Sequence, residues 1–106
     1  MNFEDYQKII EGFAVYPRDT ELAALSYLAL GLNGEAGEVA DEVKKAIRND
    51  GVISEARRVK ILEEAGDVLW CIARICIEFN VPLSTVAQAN IDKLEARRAA
   101  GKLKHE

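Results

Sequence analysis

Four carboxylates in two pairs, Glu35-x-x-Glu38 and Glu64-x-x-Asp67, are the residues of this chain whose types and spacing could do chemistry. Residues three apart share one face of an α-helix, so each pair aims two carboxylates the same way. If the two helices pack antiparallel, all four acids converge on one spot. Like charges crowded together repel unless a cation lies between them. An all-oxygen donor set suits a hard divalent ion, Mg²⁺ or Mn²⁺, better than zinc or copper.

The elements that must position these acids read as four helices. Asn2 is placed to cap a first helix running to about Val15, with Asp5 at its positive end. Tyr16-Pro17-Arg18 breaks it, and Asp19 or Thr20 caps a second helix to about Arg48. Asn49-Asp50-Gly51 is a turn signal, and Ser54 opens a third helix that ends near Phe79, with Asn80 suited to the left-handed stop and Pro82 beyond it. Ser84 or Thr85 then caps a fourth helix to about Ala99, closed by Gly101. No segment alternates with period two, and there is no repeat or linker. The expected fold is all-α, with residues 1–106 as a single domain.

At about 100° per residue, Ala36, Val39, Val43 and Ile47 form an apolar core stripe on helix two, and Glu35, Glu38 and Glu42 a second stripe beside it. On helix three the core stripe is Ile61, Ala65, Val68, Ile72, Ile75 and Phe79, with Glu64, Asp67 and Cys71 to one side. Acids flanking a core stripe on two helices can line a groove. Either pair alone also fits an ordinary solvated face, because helices are rich in Glu. Glycines weigh against that. Gly31, Gly34, Gly37 and Gly66 surround the acids, each costing ~1 kcal/mol relative to Ala in a helix interior. Such positions suggest close approach by another helix or by a ligand.

Bulk properties bound the partners. The chain is 49% hydrophobic and 30% charged, an ordinary globular composition. A net charge of −4 argues against nucleic acid or an anionic membrane as the main partner. A small anion such as a nucleotide remains compatible, since a bound metal reverses the local sign. The longest uncharged run, Leu22 to Gly34, is 13 residues, short of the ~20 that span a bilayer. No signal segment is read at the start of the chain, and Cys71 and Cys76 match neither CxxC nor zinc spacing. Two reduced cysteines in a cytoplasmic protein is the reading that follows.

Three blocks then carry a resemblance. Leu30-Gly31-Leu32-Asn33-Gly34-Glu35-Ala36-Gly37-Glu38-Val39, Glu63-Glu64-Ala65-Gly66-Asp67-Val68-Leu69 and Asn90-Ile91-Asp92-Lys93-Leu94-Glu95-Ala96-Arg97 together resemble the MazG-type all-α nucleoside triphosphate pyrophosphohydrolases. The match runs in order from about Thr20 to Gly101. The first two blocks hold the ExxE and ExxD acids typical of the family, and the third its N-x-x-K-x-x-x-R pattern. Some members carry two such domains; this chain has room for one. The resemblance implies a four-helix bundle completed by oligomerisation, and hydrolysis of an NTP or dNTP to the monophosphate and pyrophosphate by water attacking the α-phosphorus. It assigns Glu35, Glu38, Glu64 and Asp67 to Mg²⁺ (or Mn²⁺), with Glu35 also orienting or deprotonating the water. It gives Lys93 and Arg97 to the phosphates and Asn90 to the sugar or base. On residue types alone, Lys93 and Arg97 also fit two surface cations at a helix C-terminus.

Other residues carry smaller expectations. Lys60 and Lys45, a turn from Glu64 and Glu42, could counter the acids or form simple ion pairs. Glu42 and Glu63 could be further ligands or merely exposed. Trp70 falls away from the core stripe, with Ile77 two turns on, which points to a subunit interface or a nucleobase. Leu22, Leu25, Tyr27, Leu28, Leu30 and Leu32 wrap nearly all round helix two, and a helix apolar on every side needs cover on every side. A dimer is the minimum expected, and the family suggests a tetramer. His105 lies in the tail. A carboxylate-bridged di-iron bundle requires Glu-x-x-His motifs, and His105 is the only histidine. The related dUTP and phosphoribosyl-ATP pyrophosphohydrolases, and a non-catalytic helical interaction module, are the remaining alternatives.

Overall fold

Four α-helices form, and no strand occurs among the described residues. The computed structural model describes residues 1–103, so His105 lies outside the described residues. The helices are α1 (Phe3–Ile10), α2 (Glu21–Arg48), α3 (Glu55–Glu78) and α4 (Leu83–Ala99), with one 3₁₀ turn, Glu11–Phe13, following α1. No single helix among the described residues is long and apolar enough to cross a membrane.

Side-chain caps set most of the starts. The Asn2 side chain accepts from the Asp5 N–H at 2.8 Å, and the Asp5 carboxylate accepts from the Asn2 N–H, closing a capping box. Thr20 Oγ1 accepts from the Ala23 N–H, and Ser54 Oγ from the Arg57 N–H. Asn80, at φ 57°, provides the left-handed stop after α3, and Gly101 closes α4 at φ 68°.

Two boundaries differ from the sequence expectation. α1 stops at Ile10 rather than Val15. Gly12 supports helix poorly, and the tighter 3₁₀ turn that replaces it lets the Arg74 guanidinium donate to Glu11 at 2.6 Å. α4 starts behind Pro82, and neither Ser84 nor Thr85 caps it. Its first free amide, on Leu83, donates instead to the Gln7 side chain of α1 at 3.0 Å, while the Ser84 hydroxyl donates to Glu4. The cap is tertiary, which local sequence cannot reveal.

α2 and α3 form a long antiparallel hairpin, much the most extensive helix pairing in the chain. Gly31 faces Cys71, Glu35 faces Glu64 and Asp67, and Glu42 and Lys60 line one cleft near the turn. The apolar core gathers at the other end. Ile10, Ala73, Cys76 and Leu83 pack α1, α3 and α4 together, and Tyr16, Ala24 and Leu28 join the α1–α2 connection to α2. Trp70 packs against both clusters and meets the Tyr16 ring edge-on at 6.0 Å. The outward Trp70 expected from periodicity is therefore turned into its own chain, because the connection carrying Tyr16 folds back over that side of α3.

The expected core stripes also shift. On α2 the side facing α3 runs through Ala24, Leu28, Gly31, Glu35, Glu42 and Ala46. Ala36, Val43 and Ile47 are exposed, Ile47 by 74%. On α3, Ile61, Val68, Ile72 and Ile75 are half-buried, whereas Ala65 and Phe79 are exposed. A hairpin offers each helix one internal neighbour, so it covers one of two adjacent stripes. The covered one contains the acids.

Candidate active site

The acids meet where the middle of α2 crosses the first half of α3. One carboxylate oxygen from each of Glu35, Glu64 and Asp67 lies within 4.8 Å of the others. Glu38, one turn after Glu35, lies within hydrogen-bond reach of Glu64. All four acids singled out by spacing are thus brought to one place. Glu35 and Glu64 are half-buried on the helix–helix seam itself, whereas Glu38 and Asp67 are exposed at its edge.

Their electrostatics record the crowding. The Glu64 carboxyl is pushed up to about 7, first by its hydrogen bond toward Glu38, then by burial and by the charges of Glu38, Asp67 and Glu35. Burial is the main cause that raises Glu35, followed by the charges of Glu38 and Asp67. Among the described residues no compensating donor is present: Glu35 Oε2 and Glu64 Oε2 are sealed from solvent and have no hydrogen-bond partner. Buried carboxylate oxygens without partners are costly, and a cation is the group that relieves both the desolvation and the repulsion. The donor set is all oxygen, as a hard divalent ion requires. The residues therefore fit a metal of the Mg²⁺ class.

The surroundings are mixed. Cys71 continues the acid row beneath them; burial raises its thiol, with Glu35 and Asp67 adding to the shift. Both cysteines are free and buried. Lys45 pairs with Glu42 at 3.2 Å and with Asp41 at 3.5 Å, and so acts as the simple ion-pair partner expected. Lys60 is exposed on the rim of a cleft of about 350 Å³ that also holds Glu42, Lys45 and Arg57. Glu63 is exposed. Gly31 alone of the four glycines has a side-chain neighbour, Cys71 Sγ, 3.6 Å from where a Cβ would stand; at Gly34, Gly37 and Gly66 the chain leaves open space. Packing within the chain explains the first and not the other three.

The third group behaves differently. Asn90, Lys93 and Arg97 are exposed on α4, which touches α1 and α3 but makes no contact with α2. One chain does not bring them to the acids.

Two residues escaped the sequence reading. Tyr6 of α1 is half-buried beside α3, its phenol raised by burial and then by the charges of Asp67 and Cys71. It lies far from the acids in sequence, and no spacing signals the contact. Arg74 is fully buried, donating to Tyr16, Glu11 and Glu78. The Arg74-x-x-x-Glu78 spacing was visible, but the other two partners come from the α1–α2 connection.

With this geometry in hand, the relatives of the chain can be set beside it. A protein of Mycobacterium phage L5, called Gene 37 protein, is 41% identical over 105 residues, covering 95% of this chain and 92% of that protein. No solved structure matches the chain significantly. Residues 24–100 match the family model described as the MazG nucleotide pyrophosphohydrolase domain. That span contains both acid pairs and nearly all of α2, α3 and α4, and on it the chain belongs to the MazG nucleotide pyrophosphohydrolase family.

Proposed function

We propose that this protein hydrolyses a nucleoside or deoxynucleoside triphosphate at the α-phosphate, giving the monophosphate and pyrophosphate, with Mg²⁺ as its metal and Mn²⁺ able to substitute. The observation that carries the reading is the convergence of Glu35, Glu64 and Asp67, with Glu38 beside Glu64 and two sealed, unpartnered carboxylate oxygens among them. Glu35, Glu38, Glu64 and Asp67 hold the metal. When bound, it neutralises triphosphate charge and acidifies bound water.

The chain's own groups supply the rest. Water attacks the α-phosphorus in line, the bond from that phosphorus to the bridging oxygen breaks, and pyrophosphate leaves with the bond electrons. Glu35 takes the proton from the attacking water, as a carboxylate whose proton affinity burial has already raised. Lys93 and Arg97 hold phosphate oxygens, and Asn90 offers a donor and an acceptor to sugar or base, which requires them to come from another subunit of the homo-oligomer because α4 makes no contact with its own α2. A role in nucleotide-pool cleaning or control, in the cytoplasm and as a homo-oligomer, completes the proposal.

The test is an incubation with each NTP and dNTP plus Mg²⁺, with products resolved by ion exchange and no pyrophosphatase added. Monophosphate plus pyrophosphate is expected for at least one substrate. Orthophosphate plus diphosphate would place the attack at the γ-phosphorus and reject the chemistry. Turnover of nothing would leave a helical interaction module.

A further inference from the structure

The first turn of α1 leaves a slot of about 390 Å³ against α3. Its walls are Phe3 and Tyr6 from α1 and Leu69 from α3, with the exposed Met1 and Asn2 completing the lining. Phe3 and Tyr6 are three apart and share one face of the helix. Tyr6 and Leu69 are half-buried against the core of Ile10, Ala73 and Leu83, so one wall is fixed. Phe3 is 42% exposed and adds little to that core. The lining is apolar except for two groups. Asn2 gives its side-chain oxygen to the Asp5 N–H, which leaves its amide NH₂ as a donor; the other is the Tyr6 phenol.

The position of the slot matters as much as its lining. Leu69 follows Asp67 by two residues, an axial rise of about 3 Å. The Tyr6 phenol is close enough to Asp67 for that charge to add to the upward shift that burial mainly causes. An aromatic slot therefore opens beside the acids. On the pyrophosphohydrolase reading the α-phosphorus lies at those acids, and the base of a nucleotide stands one sugar away from it. A flat ring with a π-face on each side suits aromatic and aliphatic walls.

We propose that this slot seats the nucleobase of the substrate, stacked on Phe3 and Tyr6, with the Asn2 amide donating to an acceptor on its edge. α1 is then the element that sets base preference. The inference rests on the reading that the acids serve a nucleotide's phosphates. Phe3 and Tyr6 precede the span 24–100 on which family membership rests, so that membership assigns them nothing. A larger groove of about 640 Å³, lined by Leu32, Ile72, Ile75, Phe79 and Val86 among others, is the competing seat. It extends to Phe79, about 18 Å along α3 from Asp67. Apart from the Cys76 thiol it offers no polar side chain, and a base placed there would leave its polar edge unpaired.

Binding of a deoxynucleotide with methylene in place of the α,β-bridging oxygen is measured by calorimetry in Mg²⁺. Phe3→Ala should weaken it about fivefold or more, and Phe3→Trp should restore it. Phe13→Ala removes another exposed ring, outside the slot, and should bind as the wild type does. Unchanged binding in Phe3→Ala, or an equal loss in Phe13→Ala, overturns the proposal. In a second arm, a triphosphate with a photoreactive azido group on its base should label the tryptic fragment Met1–Lys8. Absence of label there overturns the proposal too, and label confined to Ile75–Lys93 would move the base to the larger groove.

The slot and the reaction can fail separately. If the wild type turns over a nucleotide while the Phe3 and labelling tests both fail, the pyrophosphohydrolase reading stands and the slot falls. If Met1–Lys8 is labelled and Phe3→Ala weakens binding, but no monophosphate and pyrophosphate form, that reading falls and the slot stands as a nucleotide site. A wild type that binds no nucleotide overturns both.

Discussion

The four acids crowd like charges together, which is a stability liability. Removing the charge of one should relieve repulsion and, on the proposed function, also remove a metal ligand. Glu38→Gln and Asp67→Asn are each expected to lower turnover by orders of magnitude, with the melting temperature of the metal-free protein unchanged or raised. Glu55→Gln is the control: that side chain is 78% exposed at the start of α3 and among the described residues pairs only with Arg58, so its loss should cost under ~1 kcal/mol. Equal, small effects at all three positions would make the acids an ordinary solvated face. The pH dependence has a definite sign. Glu64 sits near 7 in the fold against 4.5 as its unperturbed value. A group raised on folding contributes stability that is fully present below its unfolded pKa and lost as pH rises through the folded one. Thermal melts in chelator should therefore show stability increasing as pH falls from 8 to about 5. Below that, Glu11 and Asp50, whose carboxyls Arg74 and Arg57 hold low, lose their partners' help and stability declines. Saturating Mg²⁺ should remove the slope near neutrality. A metal-free protein that steadily gains stability from pH 5 to 8 would contradict the crowding.

At the scale of elements, what aligns α2 with α3 is the seam at the acids and the hub at Arg74. This arginine is fully buried, and its partners tie the α1–α2 connection to the last turn of α3: Glu11 at 2.6 Å, Tyr16 at 2.9 Å and Glu78 at 3.2 Å. Arg18 also reaches Glu78, at 2.8 Å. Tyr16, held between Arg74 and Glu78, stacks on Tyr27 of α2 with ring centroids 5.3 Å apart. Arg74→Ala leaves Glu78 partly unpaired in a near-buried place and opens a gap beneath Tyr16. A loss of about 3 kcal/mol is expected, read as a lowered urea midpoint. A change below about 1 kcal/mol would mean that Arg18 alone sustains the hub. The hub was only partly legible, because periodicity reads neighbours along one helix and two of the three partners lie some 60 residues away.

At the scale of the whole molecule, the chain is left with more apolar surface than one copy can cover. Leu22 and Leu30 are each 75% exposed on the side of α2 away from α3, and Ile47 and Phe79 lie open as well. Soluble monomers seldom leave large contiguous apolar patches uncovered. Association into a dimer at least, with a tetramer preferred on family resemblance, remains the expectation. The residue that tests it is set by the fold. Leu28 belongs to the chain's own core and is fully buried, so replacing it would probe folding rather than assembly. Leu30→Glu is the sound choice, and should lower molecular mass and activity together. A wild-type protein that light scattering finds to be a fully active monomer of 11.7 kDa would rule the assembly out.

The sequence by itself determined the helices, most of their ends and the identity of the acids. These depend on local chemistry: caps such as Asn2, Thr20 and Ser54, stops such as Asn80, and a three-residue spacing that fixes direction on a helix. Tertiary structure decided which of two apolar stripes each long helix turned inward, and so whether the acids flanked the seam or lay on it. It placed Trp70 under Tyr16, capped α4 with Gln7, buried Arg74, and set Lys93 and Arg97 apart from the acids. The physical reason is common to all of these. A helix with two usable faces has two solutions of similar burial, and the choice between them is made by partners distant in sequence, whose contacts no periodicity records.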